Sequence, residues 1–114
     1  MAPSSWGAAD DGKRVMSLRE PTNGEATVIA LWGALDSATA GQLRDAAARV
    51  AYAGDNPVVI EMSEVTDLGA PVVGVLVGAW HYLNERLTLR VSPPVFAALE
   101  EAGLSRMLPV AQPA

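Results

Sequence analysis

The sequence has no cysteine, a single histidine, and eight lysine and arginine residues against 13 aspartate and glutamate residues. Without cysteine the chain cannot form a disulfide framework, a thiolate metal site or a cysteine nucleophile. His81 would have to serve alone in any histidine-based metal site or serine triad, and its position inside a predicted helix favours a structural role. The formal net charge of -5 and the lack of a basic cluster argue against a nucleic-acid partner.

Long hydrophobic runs are also missing. The most apolar stretch, residues 71–83, is interrupted by His81 and is shorter than the roughly 20 residues that a membrane-spanning helix needs. We therefore predict a buried helix there and no direct membrane insertion. The first residues lack the basic start and apolar core of a secretory signal, which together with the absence of cysteine predicts a cytoplasmic protein.

The length of 114 residues fits one domain, and a hydrophobic share of 50% is sufficient for a compact core. Residues 1–12 are rich in alanine, serine, glycine and aspartate and show no hydrophobic period. The sequence therefore predicts a flexible N-terminal segment over 1–12, a domain over 13–110 and a short tail over 111–114.

Four segments have the pattern of strands. Residues 14–20 and 25–32 flank the turn-forming residues 21–24, which predicts a β-hairpin. Both faces of the second strand are largely apolar, so we expect both faces to be covered and the strand to lie inside the sheet. The β-branched run 58–62 predicts a buried strand, and the alternating residues 87–91 predict another.

The first predicted helix covers residues 36–53. It places Leu43, Ala47 and Val50 along one stripe, as expected of a helix packed on a core. Asp36 or Ser37 is available as its N-cap.

Two further helices follow. One covers residues 71–86. The last opens with Ser92, Pro93 and Pro94 and stops at Gly103. Residues 104–110 close the core in a form that the pattern does not assign. The order β-β-α-β-α-β-α predicts an α/β domain whose right-handed crossovers link parallel strands, with the helices packed against the sheet.

We find no catalytic or metal-binding pattern, and we predict a chain that is not an enzyme and carries no cofactor. The spacing of Gly69 and Gly74 is similar to a phosphate-binding loop, but Val75 and Leu76 stand where that loop needs lysine and serine or threonine. No Gly-x-Ser-x-Gly motif occurs. Two pairs of adjacent acidic residues, one in the N-terminal segment and one in the last helix, are predicted to be solvated surface.

Asp36 stands where a strand ends and a helix begins, which is where α/β folds present functional side chains. The same position is also that of an ordinary helix N-cap. Both interpretations remain open from the pattern alone.

Residues 33–44, GALDSATAGQLR, resemble the G-x-L-D-x-x-T-x-x-x-L-R signature of STAS domains, the family of the bacterial anti-sigma-factor antagonists. The likeness continues through residues 58–66, 74–79, 91–95 and 102–104. It spans about residues 14–110, and it implies a mixed β-sheet with the helices packed mainly on one side.

In the antagonists that this chain resembles, the turn before the second helix typically reads Asp-Ser-Ser-Gly, and an anti-sigma factor that is also a kinase phosphorylates one serine there. Residues 69–72 of this chain read Gly-Ala-Pro-Val, so Ala70 and Pro71 occupy the acceptor position. Ser63 and Thr66 lie near the turn but outside that position. The resemblance therefore implies a turn that cannot be phosphorylated.

The resemblance implies a non-catalytic regulatory module that docks an anti-sigma factor or a related regulatory protein. Two alternatives stay open, namely a STAS subunit of a membrane lipid-transport ATPase complex and a STAS domain that senses a small ligand. A homodimer is open as well. The implied partner-binding residues are Asp36, Ser37, Thr39, Gly69, Ala70, Pro71, Val72 and Val73.

Overall fold

The computed structural model describes residues 16–19 and 25–111, which fold as five strands and three helices. A 3₁₀ turn, Asn84–Arg86, follows the second helix. The elements are β1 (Met16–Arg19), β2 (Thr27–Leu35), α1 (Ser37–Ala53), β3 (Val58–Leu68), α2 (Ala70–Leu83), β4 (Leu87–Val91), α3 (Pro93–Glu101) and β5 (Val110–Ala111). The predicted N-terminal segment, the hairpin turn at 21–24 and the last three residues lie outside the described ranges.

The five strands form one mixed sheet in the order β1-β2-β3-β4-β5. β1 runs antiparallel to β2, as predicted for the hairpin, and the remaining neighbours are parallel. Each of α1, α2 and α3 links a parallel strand to its next neighbour in the same direction. Since such crossovers are right-handed, all three helices lie on one face of the sheet. The mixed sheet with helices on one side is therefore confirmed.

The core lies between that face and the helices. Ile29, Ile60 and Leu89 from adjacent strands are completely buried. Burying a side chain of this kind contributes roughly 1.5 to 3 kcal/mol. The predicted stripe of α1 is confirmed, and α2 adds a stripe of its own. These helix residues are Leu43, Ala47, Val50, Val72, Leu76, Ala79 and Leu83.

The opposite face of the sheet is only half-buried, which differs from the prediction that both faces of β2 are covered. Val28, Ala30 and Trp32 are partly exposed there. On the same face Glu61 and Arg90 are cross-strand neighbours and form an ion pair with an N–O distance of 3.1 Å. Both faces of β2 are apolar in sequence, but only one of them is covered by helices.

β3 is six residues longer than the sequence predicts, because polar residues interrupt its apolar run after Met62. The predicted strand stopped at Met62, whereas the structure continues it to Leu68 along β2, with two register shifts. β4 pairs only with Val58–Met62, so the second half of β3 has β2 alone as a neighbouring strand. There the Ser92 hydroxyl donates to the Val65 carbonyl at 2.7 Å.

The remaining boundaries moved by only a few residues. α2 ends at Leu83, where Asn84 adopts a positive φ of 50° and starts the 3₁₀ turn, so the predicted end at residue 86 was too late. α3 starts from the predicted cap, with the Ser92 Oγ accepting the Val95 N–H at 3.3 Å, and ends at Glu101. The unassigned segment 104–110 forms a turn and leads into β5.

Candidate functional site

Asp36 is the N-cap of α1 and has an extended backbone. Its Oδ1 accepts hydrogen bonds from the Thr39 backbone N–H at 3.1 Å and from the Thr39 hydroxyl at 3.2 Å. These two donors, the backbone N–H above all, hold the pKa of the Asp36 carboxyl below its ordinary value of 3.8. The predicted cap is confirmed, and the Asp36 side chain is exposed beside it.

α2 begins without a side-chain cap. Gly69 is its N-cap residue, and the Gly69 carbonyl accepts the N–H groups of Val72 at 3.0 Å and Val73 at 3.3 Å. Pro71 stands in the first turn, where its missing N–H leaves one donor fewer to satisfy. The residues of this start are Gly, Ala, Pro, Val and Val, so the first turn of α2 presents no hydroxyl group.

The two helix starts lie side by side because they follow adjacent parallel strands. Leu35 and Leu68 are paired at the ends of β2 and β3, and each is followed directly by an N-cap residue. The Gly69 N–H donates to the Leu35 carbonyl at 3.2 Å. A Cβ on Gly69 would lie 2.9 Å from that carbonyl oxygen and 3.9 Å from the Asp36 Cα. This contact admits only glycine without a backbone shift.

The sequence-predicted residues are therefore brought together, but not all of them reach the surface. Asp36, Ser37, Ala70 and Pro71 are exposed, and Gly69 and Val73 are half-buried. Thr39 and Val72 are buried at 4% and 0% exposure. The predicted set of partner-binding residues is therefore corrected for Thr39 and Val72. The Thr39 hydroxyl is bonded to the Asp36 cap and Val72 belongs to the core, so neither side chain is available to a partner.

α2 differs from the other helices in its chemistry. Over its 14 residues it contains no aspartate, glutamate, lysine or arginine. A helix that is apolar on all sides is normally buried on all sides. In this structure only the sheet-facing stripe is buried, whereas Ala70, Pro71, Gly74, His81 and Tyr82 are exposed. Among the described residues, no other element covers this side of α2, which carries no aspartate, glutamate, lysine or arginine.

The two hydroxyl residues considered beside the turn are on β3. Ser63 and Thr66 are both exposed. The Ser63 hydroxyl and the Ser63 N–H donate to the Glu61 carboxylate. Both partners are in β3, so this serine does not lie at the start of a helix. Neither residue reproduces an acceptor in the first turn of α2.

The described ranges contain no group of three or more His, Asp or Glu side chains placed to share a metal ion. His81 lies exposed in the last turn of α2, with its ring centroid 5.6 Å from that of Trp80. In the same ranges, none of the helices combines the length and the apolar character needed to cross a membrane.

A groove that the sequence pattern does not predict runs between α1 and α2. Its lining includes Arg44 from α1 and Pro71, Gly74 and Tyr82 from α2. The only signal in the sequence was the pair of glycines four residues apart, Gly74 and Gly78, inside a helical pattern. The pattern could not predict that Arg44 of α1 lines the same groove as these glycines.

Residues 18–109 match the model of the family described as Mlab, STAS domain. No curated protein matches the chain. The sequence likeness to a known family therefore rests on the family model, which covers most of the described residues.

Solved structures with a similar fold are anti-sigma-factor antagonists. The unphosphorylated form of the antagonist SpoIIAA is 22% identical, with 85% of this chain and 88% of that chain covered and a TM-score of 0.69. An antagonist from Mycobacterium paratuberculosis is 22% identical over 86% and 85%, with a TM-score of 0.72. The phosphorylated form of SpoIIAA, a Bacillus cell fate determinant, is 22% identical over 85% and 91%, with a TM-score of 0.64. These likenesses show a shared fold.

Proposed function

The chain belongs to the STAS domain family, and from this premise we propose that it is a non-catalytic regulatory module that docks an anti-sigma factor or a related regulatory protein. The proposed docking surface is formed by the two adjoining helix starts and the uncovered side of α2. Its exposed or half-buried members at the two helix starts are Asp36, Ser37, Gly69, Ala70, Pro71 and Val73.

The observation that carries this proposal is the uncharged, partly uncovered helix α2. Contiguous apolar surface on a small domain marks a place where another molecule binds. The core of a protein interface is depleted of charged residues, while its rim is polar. The first half of α2, where Ala70, Pro71 and Gly74 are exposed, provides such an uncharged centre, and the exposed Asp36 carboxylate beside its first turn provides a polar edge.

We further propose that phosphorylation does not control this surface at the start of α2. SpoIIAA has been solved in a phosphorylated and an unphosphorylated form. In this chain the corresponding helix start carries Gly69, Ala70 and Pro71, none of which has a hydroxyl to accept a phosphoryl group. The module is then controlled by its abundance or remains active throughout.

Binding to purified anti-sigma factors encoded in the same genome, measured by isothermal titration calorimetry, tests the proposal. We expect one of them to form a complex with the unmodified protein, and ATP and magnesium to leave no phosphate on residues 69–73 by mass spectrometry. If no anti-sigma factor binds, the proposed function is wrong. A stoichiometric phosphate on Ser63 or Thr66 would show that the control site lies on β3.

A second candidate is a STAS subunit that docks permanently on the nucleotide-hydrolysing subunit of a membrane transport complex. The observation in its favour is that the exposed side of α2 combines an uncharged surface with the loss of an acceptor hydroxyl. Permanent interfaces are more apolar than transient ones and need no release switch. Co-expression with an ATPase encoded beside the gene, followed by size-exclusion chromatography, separates the two candidates, because only the second predicts a stable co-purified complex.

A further inference from the structure

The groove between α1 and α2 has a volume of about 380 Å³ and opens to solvent along the helix pair. Pro71 lines one end of it and Tyr82 lines the other, while Gly74, Val75 and Gly78 lie between them. Pro71 also belongs to the proposed docking surface. The groove is therefore a continuation of that surface along α2.

Two glycines shape the α2 side of this groove, and the fold gives no packing reason for them. Gly74 and Gly78 are four residues apart and so share one face of the helix. A Cβ built on either of them meets no atom of the described residues within 4 Å. Glycine is a poor helix former, second only to proline. Larger residues would fit the free protein and strengthen the helix, so the space in front of these glycines is available to another molecule.

The charge at the groove comes from the α1 side. Arg44 is exposed and lines the groove, and among the described residues it has no ion-pair partner. The other seven residues that line the groove carry no acidic or basic side chain. In a chain with a net charge of -5 this leaves a local positive site. An acidic side chain is the natural complement of such a site.

We propose that the groove receives a helix of the partner protein, with small or apolar residues against Gly74 and Gly78 and an acidic side chain paired with Arg44. Helices pack at axis separations of about 8 to 10 Å, and small residues at the contact allow the shorter values. Helix-in-groove docking is a recurrent mode of protein recognition. This inference rests on the proposed function and adds the chemistry of the partner segment to it.

The geometry favours a helix over a small molecule. Small-ligand sites enclose most of the ligand surface and direct several polar groups at it. Here the polar side chains named at the groove are Arg44 and Tyr82, and both are exposed, Tyr82 by 63%. A long open groove of this kind suits a rod-shaped occupant. An exposed tyrosine at its end is a residue type enriched at interface centres.

The test uses the anti-sigma factor that binds the unmodified protein, with affinities measured by calorimetry and stabilities by thermal unfolding. Gly78→Leu fills the groove, and Arg44→Glu reverses its charge. We expect each change to weaken binding by at least about tenfold, as for residues central to an interface, without lowering the melting temperature. The matched controls are Gly78→Ala, which adds one methyl group, and Arg49→Glu, which makes the same charge change elsewhere on α1. We expect both controls to bind within about threefold of the parent.

The outcomes are distinct. If the parent binds and both Gly78→Leu and Arg44→Glu bind as tightly, the groove inference is overturned and the proposed function stands. If only Arg44→Glu weakens binding, the proposal of a docked helix is overturned. If only Gly78→Leu weakens binding, the proposed acidic contact with Arg44 is overturned. An equal loss in Arg49→Glu shows general electrostatic attraction and overturns the specific role of Arg44. If the parent binds no anti-sigma factor, the proposed function and this inference fall together.

Discussion

The Gly69 N–H donates to the Leu35 carbonyl at 3.2 Å, and this bond joins the start of α2 to the end of β2. The neighbouring N-cap, Asp36, is thereby held next to the first turn of α2. Glycine is required by the close approach, since a Cβ would stand 2.9 Å from the Leu35 oxygen. This contact and the pairing of Leu35 with Leu68 set the distance between the two helix starts of the proposed docking surface.

Gly69→Ala should destabilise the protein by about 1 to 3 kcal/mol, because the added methyl group overpacks a rigid backbone contact. Urea unfolding followed by circular dichroism measures the loss. Gly54→Ala is the control, because Gly54 has an extended backbone and a Cβ there meets nothing within 4 Å. Equal stability of the parent and Gly69→Ala would contradict the described contact.

Ser92→Ala should cost about 2 kcal/mol of unfolding free energy. The change removes the cap of α3 and leaves the Val65 carbonyl without its hydroxyl donor in a buried position. The same unfolding experiment gives the value. Ser37→Ala removes an exposed hydroxyl at the start of α1 and is expected to change stability by less than about 0.5 kcal/mol. An equal, small effect of both changes would show that Ser92 does not bridge α3 and β3.

Gly74→Ala should raise the free energy of unfolding by roughly 0.5 to 1 kcal/mol, because alanine is the better helix former and its methyl group meets none of the described residues. Chemical denaturation tests this directly. A loss of stability would mean that another part of the chain occupies the space before Gly74.

The Asp36 cap should be sensitive to acid. Hydrogen bonds from Thr39 lower the pKa of the Asp36 carboxyl in the folded state below 3.8, so the carboxylate stabilises the fold above that pH. This stabilisation is lost as the pH falls from 3.8 through the lower folded value. Asp36→Asn caps about as well and does not titrate, so the variant should lose less stability in acid than the parent. Thermal unfolding from pH 6 to pH 2 compares them, and parallel curves would contradict the role of the carboxylate.

Asp36→Asn also separates the cap from the docking role. The proposed surface includes the exposed Asp36 carboxylate, so the variant should bind the partner more weakly at neutral pH while its melting temperature stays nearly unchanged. Calorimetry gives the affinity. Binding as tight as that of the parent would remove the Asp36 charge from the docking surface and leave it only as a cap.

Local pattern was sufficient for most of the fold. The stripe of α1, its cap at Asp36 and the strand at residues 87–91 each follow from spacing or from a short polar side chain beside a helix. The end of β3 could not be predicted in this way. Ser63 and Glu64 interrupt the apolar run, but the backbone continues to pair with β2.

The candidate site could be predicted only in part, because contacts between elements that are distant in sequence determine its surface. Sequence likeness identified the two helix starts but could not tell that Thr39 and Val72 are buried, since burial is decided by elements distant in sequence. The groove at Arg44 could not be predicted, because it forms only where α1 and α2 lie side by side. The contact of Gly69 with Leu35 likewise depends on strand pairing and has no local signature.

If the first turn of α2 faces the partner, as proposed, Ala70→Asp should weaken binding without lowering stability. Ala70 is the first residue of α2 and is exposed. Aspartate there complements the helix dipole by about 0.3 to 1 kcal/mol, so stability should hold or rise. In an uncharged interface the same carboxylate is desolvated without a partner, which opposes binding.

Calorimetry with the cognate anti-sigma factor, beside thermal unfolding and the neutral control Ala70→Asn, gives the answer. We expect Ala70→Asp to bind at least about tenfold more weakly than the parent, as expected for an unpaired charge in an interface, while its melting temperature does not fall. Ala70→Asn should bind nearly as well as the parent. Parent-like affinity of Ala70→Asp would place the docking surface elsewhere on the domain and contradict the account.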